Sequence, residues 1–543
     1  MHTRPAPQAS PVSGDLALAQ GALAAQVQFV AGYPGSPGAG VFNALLNLTQ
    51  EINIHWAPNE KVAMEAAFGA SLAGSRSLVI LKSVGMNVAL DPLATFSLSG
   101  CHAGLVILVG DDPGAWASQN EQDSRWLARL AEVPVVEPTS VEQAALLMVQ
   151  AFAWSESLGL PMIIRTTRAL HSAKATLPPL WELPTSRRRF LRQRNHWIVL
   201  PYLVQRRHAT LHSRLRKYQA MLEASPYDVS QGSGALGIIA SGFTYSKLLS
   251  ISPKIPERYQ LLALSSSWPL PQASLTRWLA PLKRVLILEE GAPFVEEQIR
   301  ALAQRENLEV ELLGRETRTL PEEGGLLPRE IINALHALDP AYSADPPRET
   351  EKTMPSTVPL CEDCPYRPTF HALLEAMEAL YGRQHYIVVG EPGCMVRANL
   401  PPFQLFDVKY SLGSGLATGL GLALCDKQHH IITLLGDSSF FHSGLNALPF
   451  ALQQNPPLTM IILDNRTTAL TGGQTHPGSS FDERGQPRTK VVDIARIIQG
   501  IGGSPQVLEA DSPSLKAVFQ RALTRQELQI LIIRAPCPRY TQD

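Results

Sequence analysis

Two short acidic motifs in the 543-residue sequence each follow an unbroken apolar run. Ile431-Ile432-Thr433-Leu434-Leu435 leads into Gly436-Asp437-Ser438-Ser439, and Leu458-Thr459-Met460-Ile461-Ile462-Leu463 leads into Asp464-Asn465-Arg466-Thr467. Such runs predict buried parallel strands, and open α/β sheets place their ligands at the carboxyl ends of those strands. Magnesium takes six oxygens in near-octahedral geometry, commonly from one or two carboxylates together with phosphates. The Asp437 carboxylate, the Asn465 amide oxygen and the Thr467 backbone carbonyl supply a protein half of that shell, leaving the rest to diphosphate oxygens and water. Gly413, Gly415, Gly419 and Gly421 let a helix begin close to the phosphates. Either dipeptide alone reads best as an ordinary turn. The two together, both on strand ends, are specific.

The pair resembles the binding signature of thiamine-diphosphate enzymes, with Ser438 where many have a second glycine. Thiamine catalysis also needs a protein carboxylate that protonates the aminopyrimidine ring, so that the thiazolium carbon can lose its proton. Glu60, in Ala57-Pro58-Asn59-Glu60-Lys61, opens a small-residue helix running from Ala63 to Gly74. A glutamate in a first helical turn is equally a charge-dipole feature, and on the residues alone both readings stand.

Four of the six cysteines have a pattern. Cys361 and Cys364 form a Cys-x-x-Cys pair, Cys394 follows in Pro392-Gly393-Cys394, and Cys537 lies in Ala535-Pro536-Cys537-Pro538. Four thiolates can hold one 4Fe-4S cubane or a zinc ion, and four unrelated buried thiols are the bland alternative. Cys101 and Cys425, in apolar surroundings, read as core. Lys82 and Asn87 could meet a substrate carboxylate, although a solvated lysine is the simpler reading of Lys82. His442 could exchange protons with an intermediate or cap the next helix.

The elements that must position these groups follow from composition and periodicity. At this length three or four units of about 150 residues each are expected. Apolar residues make up 45% and charged residues 17%, which excludes a disordered chain. Lys plus Arg (47) nearly cancels Asp plus Glu (48), removing any global electrostatic reason to expect nucleic acid or an anionic membrane as partner. No apolar run is long enough to span a membrane, and the N-terminal stretch does not read as a signal peptide, so a cytoplasmic enzyme is expected.

Alternating helical and apolar segments predict α/β architecture in three doubly wound units. The first spans 15–182, with Ser77-Leu78-Val79-Ile80-Leu81 and Gly104-Leu105-Val106-Ile107-Leu108-Val109 as strands and Pro161-Met162-Ile163-Ile164-Arg165 as its closing strand. A connector at 183–232 is strongly basic, with nine arginines, one lysine and no acidic residue between Ser186 and Lys217. It reads as a solvated segment on an acidic neighbour rather than as a nucleic-acid patch. A second unit at 233–345 holds Arg284-Val285-Leu286-Ile287-Leu288, a proline-rich linker covers 346–358, and the third unit fills 359–543.

Longer motifs carry a closer resemblance. Gly32-Tyr33-Pro34-Gly35-Ser36-Pro37, Asn59-Glu60-Lys61-Val62-Ala63, Asp111-Asp112-Pro113-Gly114 and Ser118-Gln119-Asn120-Glu121-Gln122-Asp123-Ser124-Arg125 resemble the alpha subunit of indolepyruvate ferredoxin oxidoreductase. The likeness continues in Cys364-Pro365-Tyr366-Arg367-Pro368, in Gly436 to His442, and in Asp464 to Gln474. It implies a thiamine-diphosphate-binding fold with pyrimidine, transketolase-C-terminal-like and diphosphate domains. It makes Glu60 the pyrimidine-activating glutamate, and Ser36, Gly413, Gly436, Ser438 and Thr471 cofactor contacts.

The implied reaction is oxidative decarboxylation of an aromatic or bulky 2-oxoacid to an acyl-CoA, with electrons passed to ferredoxin or a partner subunit. A homodimer and a smaller beta subunit are implied as well. The broader class uses a cysteine pattern like this one for a cluster near the thiazolium. The family's usual eight-cysteine ferredoxin-like module has no counterpart in this sequence, which keeps a non-oxidative decarboxylase or carboligase open. An inactive scaffold of a redox complex is the alternative of another kind. The motif around Asn120, Glu121 and Arg125 has no role that chemistry assigns, and the absence of an arginine from Gly110-Asp111-Asp112-Pro113 argues against pyruvate as substrate.

Overall fold

A computed structural model describes residues 10–186, 189–192, 196–342 and 358–540. Arg187, Arg188 and Arg194 of the basic connector, and 346–357 of the expected linker, lie outside the described residues. The chain forms two compact units, one of Met1–His55 with Glu60–Pro355 and the other of Trp56–Asn59 with Ser356–Asp543.

The first unit carries strands β1 (Val12–Ser13), β2 (Phe29–Gly32), β3 (Asn53–Trp56), β4 (Ser77–Lys82), β5 (Leu105–Asp111), β6 (Val135–Val136), β7 (Met162–Thr167) and β8 (Lys174–Ala175). It continues with β9 (Val229–Gln231), β10 (Leu236–Ser241), β11 (Gln260–Leu264), β12 (Ser266–Trp268), β13 (Arg284–Leu288) and β14 (Glu311–Leu313). A seven-stranded sheet has the order β12-β6-β7-β5-β4-β2-β3, and a five-stranded sheet the order β14-β13-β10-β11-β9. β5 is buried along its whole length and β4 at all but its last residue, as expected of strands covered by helices on both faces.

The expectation that Pro161–Arg165 closes the first sheet is corrected. β7 lies inside the sheet, between β6 and β5, and the edge belongs to β12 from the second region of the sequence. β6 is only two residues long, and β12 covers it antiparallel through Ser266 opposite Val136 and Trp268 opposite Val135. The Ser267 hydroxyl adds a bond to Glu137 at 2.5 Å.

The basic connector contains one long helix, Pro201–Leu222, with proline in its first turn, where its missing N–H costs nothing. Leu211, Leu215, Tyr218 and Leu222 recur at helical spacing and are its buried residues. They pack the C-terminal half of the helix against the helices Ser83–Ser99 and Val141–Leu158. Arg206 and Arg216 are exposed, while Arg214 donates to the carbonyl of Gly159 at 3.1 Å.

The second unit has strands β15 (Tyr386–Gly390), β16 (Val408–Lys409), β17 (His430–Gly436), β18 (Leu458–Asp464), β19 (Pro505–Glu509) and β20 (Gln529–Arg534). All pair in parallel, in the order β16-β15-β17-β18-β20-β19. Its two faces are sealed by separate apolar clusters, one around Phe370, Leu434 and Phe519, the other around Leu416, Leu448 and Ile462. Among the described residues no helix is long and apolar enough to cross a membrane.

Candidate active site

Parallel register brings the functional ends of the second unit's sheet to one edge. Gly436 lies opposite Leu463, and Asp464 opposite Arg534, so the loops leaving β17, β18 and β20 emerge together. Asp437 is 1% exposed. Its Oδ2 accepts the backbone N–H of Arg466 at 2.5 Å and its Oδ1 that of Ser438 at 2.8 Å, joining the two strand ends directly. The Asn465 amide oxygen accepts the N–H of Thr467 at 3.0 Å.

His476, also buried, stands with Nε2 3.1 Å from the Asp437 carboxylate. Its Nδ1 accepts from the N–H of Gly478, which leaves the proton on the nitrogen facing Asp437. Asp464 is pushed above the ordinary carboxylate range by burial and then by the neighbouring Asp437, against the pull of Arg534.

These donors fit magnesium and a diphosphate. All of them are oxygens, suited to a hard cation. Gly436 has an ordinary φ of −80°, and a Cβ there would meet only the Met395 Cε, at 3.8 Å. Neither its conformation nor its neighbours require glycine.

Gly413 is required on both counts. Its φ is +79°, and a Cβ would come within 2.5 Å of Ser443 Cβ. Its N–H, with that of Gly415, donates to Glu391 at 2.9 and 2.5 Å, and the Ser439 hydroxyl donates to the same carboxylate. Burial pushes Glu391 up to about 7, although the Gly415 and Gly413 amides oppose it. Glu391 was not singled out from sequence, yet Ile387-Val388-Val389-Gly390-Glu391 has the same strand-glycine-acid form as Leu434-Leu435-Gly436-Asp437.

The other glycines do different work from the one expected. A Cβ at Gly419 would strike Thr433 at 2.2 Å, so it lets the helix Gly415–Cys425 lie on β17, and Gly421 faces open space. Cys425, expected in the core, is exposed, because it is the last residue of that helix and turns to solvent. Cys101 is buried, as expected.

His442 is buried inside the turn Phe440–Gly444 rather than capping a helix, with Nδ1 paired to the Ser443 hydroxyl. Its carbonyl accepts from the Asn59 side chain at 2.9 Å, in the short segment Trp56–Asn59 that belongs with the second unit. Thr471 donates to the Gln474 side chain at 2.6 Å, bracing the loop after β18.

The thiols gather at the same edge. Cys394 follows β15 by four residues and Cys537 follows β20 by three, on the two flanks of β17 and β18. Tyr366 donates to the Ala535 carbonyl at 3.2 Å, tying the Cys361–Cys364 turn to the segment that carries Cys537. Burial pushes the Cys394 thiol up to about 11, Arg397 opposes it, and Cys537, Cys364 and Cys361 each add to the rise. All four sulfurs therefore share one neighbourhood. A zinc ion bound tetrahedrally at about 2.3 Å would bring its sulfurs to about 3.8 Å from one another. Among the described residues no three of these thiols have their sulfurs all within 4.8 Å of one another.

In the first unit Glu60 opens the helix Glu60–Ala73 and is 6% exposed. It lies across Gly85, where a Cβ would come within 2.6 Å of the carboxylate. Ser36 is exposed in the turn after β2, and Gly110 makes room for Pro37 beside it. Lys82 is not solvated: it donates to the Ala117 carbonyl at 2.5 Å, and burial lowers its pKa. Asn87 donates to Gln122 at 3.0 Å, so both residues anchor the loop that follows β5.

Residues 20–196 match a family model described as the thiamine-diphosphate-binding region of pyruvate flavodoxin/ferredoxin oxidoreductase, and residues 392–533 match the C-terminal TPP-binding domain of thiamine pyrophosphate enzymes. The indolepyruvate oxidoreductase subunit IorA of Archaeoglobus fulgidus is 32% identical over 96% of this chain and 86% of its own length. The chain belongs to the IorA family. The IorA subunit of Pyrococcus abyssi is similar at 30% identity, over 97% of this chain and 85% of its own length. Among solved structures, a 2-oxoglutarate:ferredoxin oxidoreductase from Magnetococcus marinus aligns at a TM-score of 0.45 and 15% identity, covering 56% of this chain and 62% of that one.

The thiamine-binding fold is thus shared by both matched regions of this IorA-family chain. Ser36 and Glu60 fall in one of them, and Asp437, Asn465 and Thr467 in the other. Arg125 of the motif without an assigned role turns out to be structural. It is 1% exposed, binds Asp123 at 2.5 Å, and reaches Glu289, just past the end of β13, at 2.8 Å. Arg165 joins Asp111 at 2.6 Å and also pairs with Glu137. Burial would raise Asp123, but Arg125 and then Arg165 outweigh it and hold the carboxyl at about 2. Glu121 accepts the N–H groups of Gly114 and Gly324, both at 2.9 Å, and Asn120 donates to Gln122 at 3.2 Å.

Proposed function

We propose that this IorA-family chain catalyses the oxidative decarboxylation of an indolepyruvate-like, aromatic or bulky 2-oxoacid, forming an acyl-CoA and CO2 and passing two electrons singly to ferredoxin or a partner subunit. The reading includes a cytoplasmic homodimer working with a smaller beta subunit. Asp437, Asn465 and the Thr467 carbonyl would hold magnesium, while Gly436, Ser438 and Gly413 would leave room for the diphosphate. Ser36 and Thr471 would contribute cofactor contacts. Bound thiamine diphosphate supplies a carbon nucleophile and an electron sink for decarboxylation.

Glu60 would carry the proton to and from the aminopyrimidine nitrogen, its carboxylate kept from bulk water by burial across Gly85. The N–H groups of Arg466 and Ser438 hold Asp437, with His476 beside it, and Glu391 clamps Gly413 and Gly415, so the carboxylate and the glycine loop would be set before any ligand arrives. His442 would exchange a proton with substrate. Cys361, Cys364, Cys394 and Cys537 would hold one 4Fe-4S cluster and carry electrons out. Cys394 and Cys537 leave the sheet on the two flanks of β17 and β18, and Tyr366 ties the Cys361–Cys364 turn to the Cys537 segment, which supports the redox reading.

The reading is carried by the direct bond from Arg466 to Asp437, which joins two strand ends inside a region matched to a thiamine-binding domain. Titration calorimetry with magnesium and thiamine diphosphate tests the site, and no heat of binding would remove it. Iron and acid-labile sulfide in anaerobically purified protein, with indolepyruvate-dependent reduction of ferredoxin in the presence of CoA, test the electron path. Colourless protein that decarboxylates at full rate would leave the non-oxidative enzyme instead. Protein that binds no cofactor would leave the scaffold.

A further inference from the structure

Away from the thiamine site, three ligand-type side chains meet on the surface of the first unit. His208 and His212 lie one turn apart on the helix Pro201–Leu222, on the same face, with ring centroids 4.2 Å apart. Both turn Nε2 toward one carboxylate, His208 to Glu132 Oε2 at 2.5 Å and His212 to Oε1 at 2.9 Å. Among the described residues this is the one group of three histidine, cysteine or acidic side chains whose ligand atoms all fall within 4.8 Å of one another. Two imidazole nitrogens and a carboxylate oxygen bound at about 2.0–2.1 Å in a tetrahedral site would lie about 3.3 Å apart, so small side-chain movements convert the observed arrangement into a chelate.

Glu132 has no local reason to be a glutamate. It follows the helix Ser124–Leu130 with φ at +55°, a conformation that favours glycine or asparagine. A helix C-terminus also disfavours a carboxylate and welcomes a cation. What the position offers is a side chain aimed at two imidazoles. The side chains of His208 and His212 are 46% and 44% exposed, and Glu132 is 28% exposed, which leaves a path for an ion and a free position for water.

We propose that Glu132, His208 and His212 bind one divalent transition-metal ion of the zinc type and thereby staple the connector helix to the first unit. The donor set is imidazole and carboxylate without thiolate, which suits zinc, cobalt or nickel and not the hard ions magnesium and calcium. The location gives the staple a purpose. The buried stripe of the helix begins at Leu211, and residues 201–210 include no buried side chain. The metal would fix the helix at the point where its apolar anchoring runs out.

The test uses the full-length protein, purified anaerobically and equilibrated with Zn2+ or Co2+. The parent should retain about one equivalent more zinc than the double variant His208→Ala/His212→Ala, and Glu132→Gln should bind more weakly. With Co2+ the parent should show visible d–d absorption without sulfur-to-cobalt charge transfer, which separates this site from the cysteines, and the double variant should lose it. Added Zn2+ should slow hydrogen exchange of amides 201–212 in the parent only. All three side chains reach solvent, so the variants should fold; if the double variant does not, Glu132→Gln alone decides. Equal zinc and cobalt binding in parent and variants, or none in the parent, would overturn the proposal.

Discussion

Around Arg125 and Arg165 in the first unit, buried carboxylates meet guanidinium groups on several sides: Asp111, Asp123, Glu137 and Glu289 all pair with one arginine or the other. At the sheet edge of the second unit, Asp437, Asp464 and Glu391 are equally buried but poorer in cations. Arg534 serves Asp464 at 3.1 Å, His476 faces Asp437, and Glu391 has backbone amides and one hydroxyl. Both places are rich in buried carboxylates, and only in the first does every one of those named pair with a guanidinium. Desolvated carboxylates short of cations are a common feature of binding sites.

The largest effect should come from breaking the arginine network. Arg125→Ala strands several buried carboxylates and should lower stability by about 3–5 kcal/mol, read as a large fall in the urea midpoint. A midpoint close to that of the parent would mean that water replaces the guanidinium without cost.

Asp437→Ala should do the reverse. It removes a carboxylate that raises Asp464, so stability should hold or rise while magnesium-dependent binding of thiamine diphosphate is lost in calorimetry. Parallel loss of fold would make Asp437 structural and erase the contrast. His476→Ala, one step back from the proposed metal site, should weaken magnesium binding by about 10–100-fold without that loss.

The smallest effect concerns Glu391. With its folded pKa raised from an ordinary 4.5 to about 7, the protonated form favours the folded state. That contribution is complete below about pH 4.5 and is lost as the pH rises to about 7. Urea midpoints of the ligand-free chain should fall over this window, and Glu391→Gln should flatten that part of the profile. An unchanged slope in the variant would assign the titration to another group.

The sheet edge that gathers Asp437 and Asp464 was legible in sequence because parallel strands announce themselves as apolar runs, and the residues just past their ends emerge together. Glu391 obeys the same grammar, but it follows a shorter apolar run, Ile387-Val388-Val389, with no second acidic motif at a matching strand end to set beside it. Arg125 could not be assigned because its partner Glu289 lies 164 residues away, beyond any local spacing rule. The edge strand Ser266–Trp268 was equally hidden, since three residues carry no period. Cys425 was misplaced because apolar surroundings in sequence do not say which side of a helix terminus faces out.

That edge strand also bears on how the protein is made. Ser267 and its partner Glu137 are 130 residues apart, so β6 leaves the ribosome long before the strand that covers it. Until β12 emerges, the first sheet presents an open ladder of backbone donors and acceptors, the kind of surface that recruits strands from other chains. A product truncated after the connector, or translation stalled within 233–265, should therefore aggregate even with its own hydrophobic core intact.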